Sequence, residues 1–186
     1  MTKVYFLLSA FFLTVLTVNA QDMPIDPDTK LIAYSEVVDV SSVSKSDLYV
    51  RANTWFTRTF KSAKSVLDLQ DKEAGKLIGK GVLPMIIKLP MIGSTDAGTV
   101  SMTVTIICKD GKYKYVIDNL NHFRPTGPNT DLWIDGGALE QQKPRVGMMG
   151  RPNKRDWSEI KETLDRDLRA FGADLKKAMA KSDADF

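Results

Sequence analysis

One histidine, His122, and one cysteine, Cys108, stand in a chain of 186 residues, and their isolation limits the chemistry on offer. A Ser-His-Asp relay, an imidazole-bound metal or a histidine proton shuttle would each rest on His122. It closes a run of strand-forming residues beside Phe123, with no Ser, Cys or acid at a motif spacing, so it reads as a surface or loop residue. Cys108 ends an alternating apolar row, where a lone cysteine packs as a small hydrophobe. A nucleophilic thiolate needs a neighbouring base and an exposed, electropositive setting. Gly75, Gly79 and Gly81 around Lys80 approach a phosphate loop, but that motif needs GxxxxGK followed by Ser or Thr and then a helix. Here the spacing is one residue short, Gly81 follows the lysine, and the surroundings read as strand.

Paired carboxylates would support glycoside hydrolysis, with Asp71 and Glu73, or Asp131 and Asp135, as the candidates. Their separation in space decides that chemistry, and acidic loop residues are mostly solvated. Asp131 and Asp135 beside Gly136-Gly137 lack the regularly spaced oxygen ligands of a calcium loop. The basic stretches Lys143-Pro144-Arg145 and Arg151 to Arg155 read as a solvated linker, or else as contact with an anionic envelope surface. These residues point to no catalytic centre, no metal site and no cofactor.

The N-terminus carries an address. In MTKVYFLLSAFFLTVLTVNA, Lys3 is the positive start, Val4 to Val18 is an uncharged apolar run, and Val18-Asn19-Ala20 supplies a short-residue end before Gln21. That order is what the secretion machinery reads, with cleavage expected at Ala20-Gln21. The run is short for a membrane span, which needs about 20 residues, and no Cys near the cleavage point offers a lipid anchor. Residues 1–20 are therefore expected to be a signal peptide, the protein periplasmic or secreted, with no stable membrane span afterwards. A formal charge of +3, from 26 basic and 23 acidic residues, promises no basic face for a nucleic acid. One cysteine makes no disulfide within the chain, so packing must supply the stability.

Positioning falls to elements legible from periodicity. Residues 21–30 (QDMPIDPDTK) read as a flexible leader to a single domain over 31–186. Leu31 to Val40 alternates as a strand, with Ile32, Tyr34, Val38 and Val40 on one face and Glu36 interrupting it. Ser44-Lys45-Ser46-Asp47 is a helix start, followed by Leu48, Ala52, Trp55, Phe56 and Phe60 on one stripe. Val66 to Gln70 and Lys76 to Lys88 form a hairpin around a Gly-ended turn, with Gly79, Gly81 and Pro84 predicting a bulge or an edge. Met91 to Gly98 reads as a loop. Val100 to Cys108 alternates up to Asp110-Gly111, the favoured pair for a two-residue type I′ turn. That turn sets Cys108 against Tyr113, Ile106 against Tyr115 and Val104 against Ile117 on a buried face. Ser101, Thr103, Thr105, Lys114 and Asp118 fall on the wetter face. Residues 124–154 hold four prolines and read as a long irregular connection, the kind that is functional or disordered. A long amphipathic helix over 156–181 carries Trp157, Ile160, Leu164, Leu168, Phe171, Leu175 and Met179. The fold class is α+β: strand, helix, strands, helix, with both helices on one face of a curved antiparallel sheet.

From LIAYSEVVDV through SKSDLYVRANTWFTRTF to DKEAGKLIGKG, the chain resembles the exported bacterial family grouped as domain of unknown function 4468, with a TATA-binding-protein-like fold. Tyr34, Val37, Val38, Leu48 to Trp55 and Asp71 to Gly81 carry the resemblance, which spans roughly Leu31 to Tyr115; KEAGKLIGKG is its most specific piece. It implies a curved antiparallel sheet with helices across one face. It implies no site residues, and the fold's name does not import DNA binding.

The functional expectation is a non-enzymatic envelope module binding a protein or a small molecule. Its contact surfaces would be the polar sheet face around Thr103, Thr105 and Lys114 and the loop from Trp133 to Met149, including Met148, because binding residues concentrate on loops held by a rigid scaffold. The alternatives are an apolar-ligand pocket between the sheet and the C-terminal helix, lined by Tyr113, Tyr115, Phe171 and Met179, and a hydrolase using loop carboxylates.

Overall fold

The computed structural model describes residues 22–60, 67–91, 93–126, 132–145 and 154–181. The signal segment with its Ala20-Gln21 junction, Asp131, Met148, Met149 and Arg151 lie outside the described residues. The elements run β1 (Tyr34–Asp39), α1 (Lys45–Thr59), β2 (Leu67–Asp71), β3 (Lys76–Leu89), β4 (Gly93–Lys109), β5 (Lys112–Pro125), β6 (Trp133–Ala138) and α2 (Lys154–Ala180). All pairings are antiparallel, in the order β1-β5-β4-β3-β2, with β6 beside β5 as well. β5 therefore shares one flank between β1 and β6.

Period two builds the interior. Val100, Met102, Val104, Ile106 and Cys108 of β4 are buried, as are Tyr113, Tyr115, Ile117 and Leu120 of β5. Cys108 stands opposite Tyr113, Ile106 opposite Tyr115 and Val104 opposite Ile117, the register expected from the turn. Onto this face α1 lays Leu48, Ala52, Trp55 and Phe56, and α2 lays the whole stripe from Trp157 to Met179; all join one buried cluster. At its centre Trp55 meets Phe171 edge to face at 4.8 Å and Phe56 at 5.3 Å, contacts of about 1 kcal/mol each beyond their area. Trp55 Nε1 donates to Asp174 at 2.8 Å, so the indole is buried with its one donor satisfied. The α1 start is capped as expected, Ser44 Oγ accepting from Asp47 N at 3.1 Å.

Local departures from the sequence expectations have physical causes. The β4–β5 turn is not type I′: that turn needs positive φ at both central residues, and only Gly111, at +73°, has it. Both turn residues are bonded outward instead. Asp110 Oδ1 accepts from Lys45 N at 2.7 Å, Gly111 N donates to the Val43 carbonyl and Val40 N to the Gly111 carbonyl. Residues 93–98 are strand, not loop, because the β3–β4 ladder continues past Pro84. Ala97 and Gly98 together oppose Met85, and this bulge absorbs the misfit between Pro84↔Thr99 and Ile86↔Asp96. Within 124–154, Trp133–Ala138 pairs with β5, so that segment is not one irregular connection. Residues 24–33 are tied down: Asp26 Oδ1 accepts from Asp28 N and Thr29 N, Ala33 N donates to the Pro24 carbonyl, and Ile25 bridges Ile32. This aspartate-capped turn replaces the free leader.

β2 covers only the Lys76–Gly79 end of β3, and among the described residues no strand flanks β3 beyond it. Gly98 has φ +95°, and a Cβ there would lie 2.2 Å from the Phe123 carbonyl oxygen; at Gly111 nothing lies within 4 Å. Gly111→Ala should therefore cost about 1 kcal/mol, from backbone conformation alone. Gly98→Ala should cost about 3 kcal/mol, because the obstructing backbone cannot give way. Urea denaturation of the two variants measures the difference.

Candidate functional site

With both helices on one side, the other face of the sheet carries a second set of rows, fixed by the same register. Near the β4–β5 turn, Asp39, Lys112 and Lys109 form one row, and Val37, Lys114, Ile107, Lys76 and Asp71 the next. Then come Ser35, Val116, Thr105, Ile78 and Leu69, followed by Asp118, Thr103 and Lys80, which pairs with Asp68 at 2.9 Å. Farther out, Val82 stands opposite Ser101, Pro84 opposite Thr99 and Phe123 opposite Asp135. Large aliphatics are wet on this helix-free face: Val37 is 58% exposed, Leu69 41%, Val82 59% and Ile86 52%. Thr103 and Thr105 are half-buried between their neighbours, and Lys114 is exposed. Trp133, 52% exposed, stands opposite Pro125 at the outer end of β6. The face is thus more apolar than the Ser/Thr alternation of β4 suggested, because β1 and β3 contribute aliphatics to it.

A second concavity, an open groove of about 520 Å³, runs between α2, β1 and the Pro24–Pro27 turn. Two matching networks line it. Tyr115 donates to Glu36 Oε2 at 3.0 Å, and Lys176 Nζ reaches the same oxygen at 2.9 Å. Tyr34 donates to Asp165 Oδ1 at 2.6 Å while Arg169 Nε donates to Asp165 Oδ2 at 2.9 Å. The bond from Lys176, helped by that from Tyr115, holds Glu36 below the usual carboxylate range. Burial, then the bond to Glu36, pushes Tyr115 up to about 12. Every charge in these networks already has a partner, so they fasten α2 to β1 and β5 rather than offer a reactive group. The one sequence trace of them was Glu36, the residue that broke the apolar alternation of β1.

The expected pocket between sheet and C-terminal helix is filled. Tyr113, Leu175 and Met179 are buried in the packed interface, and only Tyr115 among the expected lining residues borders the groove, whose walls mix Asp26, Glu36, Arg169 and Lys176 with apolar side chains. Burial raises the Tyr113 hydroxyl above its ordinary range, and its oxygen has no hydrogen-bond partner. Cys108 is buried and free, its thiol pushed up to about 11 by desolvation, the opposite of what a nucleophile requires. Of the loop acids, Asp71 Oδ1 accepts from Ala74 N, and Asp135 accepts from Gly137 N and pairs with Arg145. Among the described residues no group of three or more His, Cys, Asp or Glu is placed to hold a metal, and no helix is long and apolar enough to cross a membrane.

His122 is the clearest correction: it is 2% exposed, not a surface residue. Its position opposite Val100 puts it on the inward row, where its ring meets Trp157 edge on at 5.5 Å. Nε2 lies 2.6 Å from the Ala97 carbonyl, which fixes the proton there, and buried Nδ1 has no partner. Burial holds the ring below its ordinary value of 6.5, so the folded state resists the second proton that the unfolded chain accepts. Stability should thus fall as pH drops through about 6.5, where the unfolded state binds more protons. Urea midpoints measured between about pH 7.5 and 5.5 should decline for the native protein, and His122→Gln, which keeps a donor for Ala97, should flatten that slope.

Comparison with known proteins gives the fold independently. A DUF4468 family protein from Bacteroides ovatus has a crystal structure that superposes with a TM-score of 0.61 at 14% identity, covering 82% of this chain and 88% of its own. A TBP-like protein from Parabacteroides distasonis gives 0.62 at 14% identity, covering 87% of this chain and 99% of its own. No curated protein matches significantly. Residues 34–123, from the first residue of β1 into β5, match the model of the family described as domain of unknown function (DUF4468) with TBP-like fold.

Proposed function

We propose that this protein is an exported, non-catalytic binding module whose docking surface is the helix-free face of its sheet, and that its partner is another envelope protein or a small molecule. Export to the periplasm or beyond follows from the order of charge, apolar run and short residues over 1–20. The observation that carries the docking surface is the exposure of Val37, Leu69, Val82 and Ile86 on one face. Aliphatics gathered on one side of a sheet, rimmed by lysines, are the usual mark of an interaction site, whereas scattered single ones need no account. The non-catalytic reading is supported by how four of the candidate groups are engaged: Cys108 is desolvated, His122 is buried on a carbonyl, Asp71 accepts from Ala74 N, and Asp135 accepts from Gly137 N and pairs with Arg145. Trp133, at the outer end of β6, adds an aromatic anchor of the kind that dominates interface energetics.

The test uses the chain from Gln21 onward as bait in envelope extract of its native host. Material retained by the native protein should be reduced about tenfold by Val82→Glu with Ile86→Glu, since burying two carboxylates at an interface is costly. Val50→Glu, at an exposed valine on the outer side of α1, should leave retention unchanged. Equal retention by all three proteins would remove the sheet face as the docking surface.

A further inference from the structure

On the helix-free face, the end nearest the β4–β5 turn is shaped differently from the rest. A hollow of about 290 Å³ opens there, lined by Val37, Ile107, Lys109, Lys112, Tyr113 and Lys114. Lys109 and Lys112 are direct cross-strand partners, and Lys114 lies between Val37 and Ile107. Like charges placed directly opposite on a sheet repel, and none of the ion pairs formed among the described residues engages these three ammonium groups. The acids nearby are otherwise occupied or peripheral: Asp110 accepts from Lys45 N, and Asp26, on which Lys114 exerts a weak pull, is held by the backbone of Thr29. Asp39 stands opposite Lys112 and offsets part of the charge.

We infer that this hollow is a binding site for a small amphiphilic anion, a carboxylate or phosphate carried on a short aliphatic group. The ammonium cluster would take the anionic head, and Val37 and Ile107 the aliphatic part. The volume lies at the lower limit for ligand pockets, about 300 Å³, which selects a small molecule over an extended one. Charge and apolar surface lie side by side rather than in separate places, so head and tail are recognised together. This assignment rests on the helix-free face being the binding surface, and it names the ligand class for one end of it.

Octanoate is a suitable probe, titrated against the chain from Gln21 onward by calorimetry and by amide shifts of β4 and β5. It should bind, more tightly than acetate, which lacks the tail, and more tightly than 1-octanol, which lacks the charge. Lys112→Gln with Lys114→Gln should weaken octanoate at least about tenfold, with unchanged thermal unfolding because both side chains are exposed. Lys112→Glu with Lys114→Glu should abolish octanoate binding and favour octylamine, a reversal that mere structural damage would not produce. No octanoate binding, 1-octanol or acetate binding equally well, or indifference to the lysine substitutions would each overturn the site. Because Val82 and Ile86 lie at the opposite end of β3, failure here and failure of the docking face remain separate results.

Discussion

The constraint on which this structure depends is the register of the β4–β5 hairpin. A slip of β5 by one residue against β4 would carry its buried side chains to the wet face and bring Lys112 and Lys114 into the interior. The turn alone does not hold that register, since it lacks the backbone form that two-residue hairpins favour. It is held from outside, by the chain just before α1: the Val40 and Lys45 amides and the Val43 carbonyl are all engaged by Asp110 and Gly111. The same bonds set where the helix begins, so hairpin register and helix placement are one condition. From it follow both faces: the row that receives Trp55 and Leu168, and the row that presents Lys109, Lys112 and Lys114.

The second helix is oriented by polar contacts laid over apolar burial. Its stripe from Trp157 to Met179 would be satisfied by several rotations along the sheet, since burial is non-directional. Two tyrosine–carboxylate–cation networks, centred on Glu36 and Asp165, and the Trp55–Asp174 bond select one. The ion pairs are half-exposed and contribute little each. Their contribution is to position, because a shift of the helix by a turn would take Asp165 away from the Tyr34 hydroxyl and Lys176 away from Glu36.

Much of this was legible in the sequence where a single period ran unbroken. The alternation of β4 with β5 and the helical stripes fixed the layers, the inward rows and the cross-strand partners in advance. Legibility failed where a bulge or a distant partner overrode local pattern. Residues 93–98 look like loop because Asp96, Ala97 and Gly98 break the alternation, yet the bulge restores the ladder beyond them. Trp133–Ala138 carries prolines before it and glycines within it, and becomes strand only because β5 extends far enough to pair with it. His122 looked exposed for the same reason: with β6 missing, β5 ends early and its last inward position has nothing to face. The site was less legible than the fold. Thr103, Thr105 and Lys114 were placed on the correct side, but the aliphatics that give the face its character come from β1, β2 and β3, strands whose outward rows are short and mixed.

The free flank of β3 bears on how copies of this molecule behave toward one another. Among the described residues no strand pairs with β3 beyond the reach of β2, and an edge of this length invites a neighbour to add on. Pro84 and Lys88 sit along that stretch: a position with no amide to give and an exposed charge. The broad side of the sheet thus carries its exposed aliphatics, while the rim beside it carries residues that disfavour strand addition.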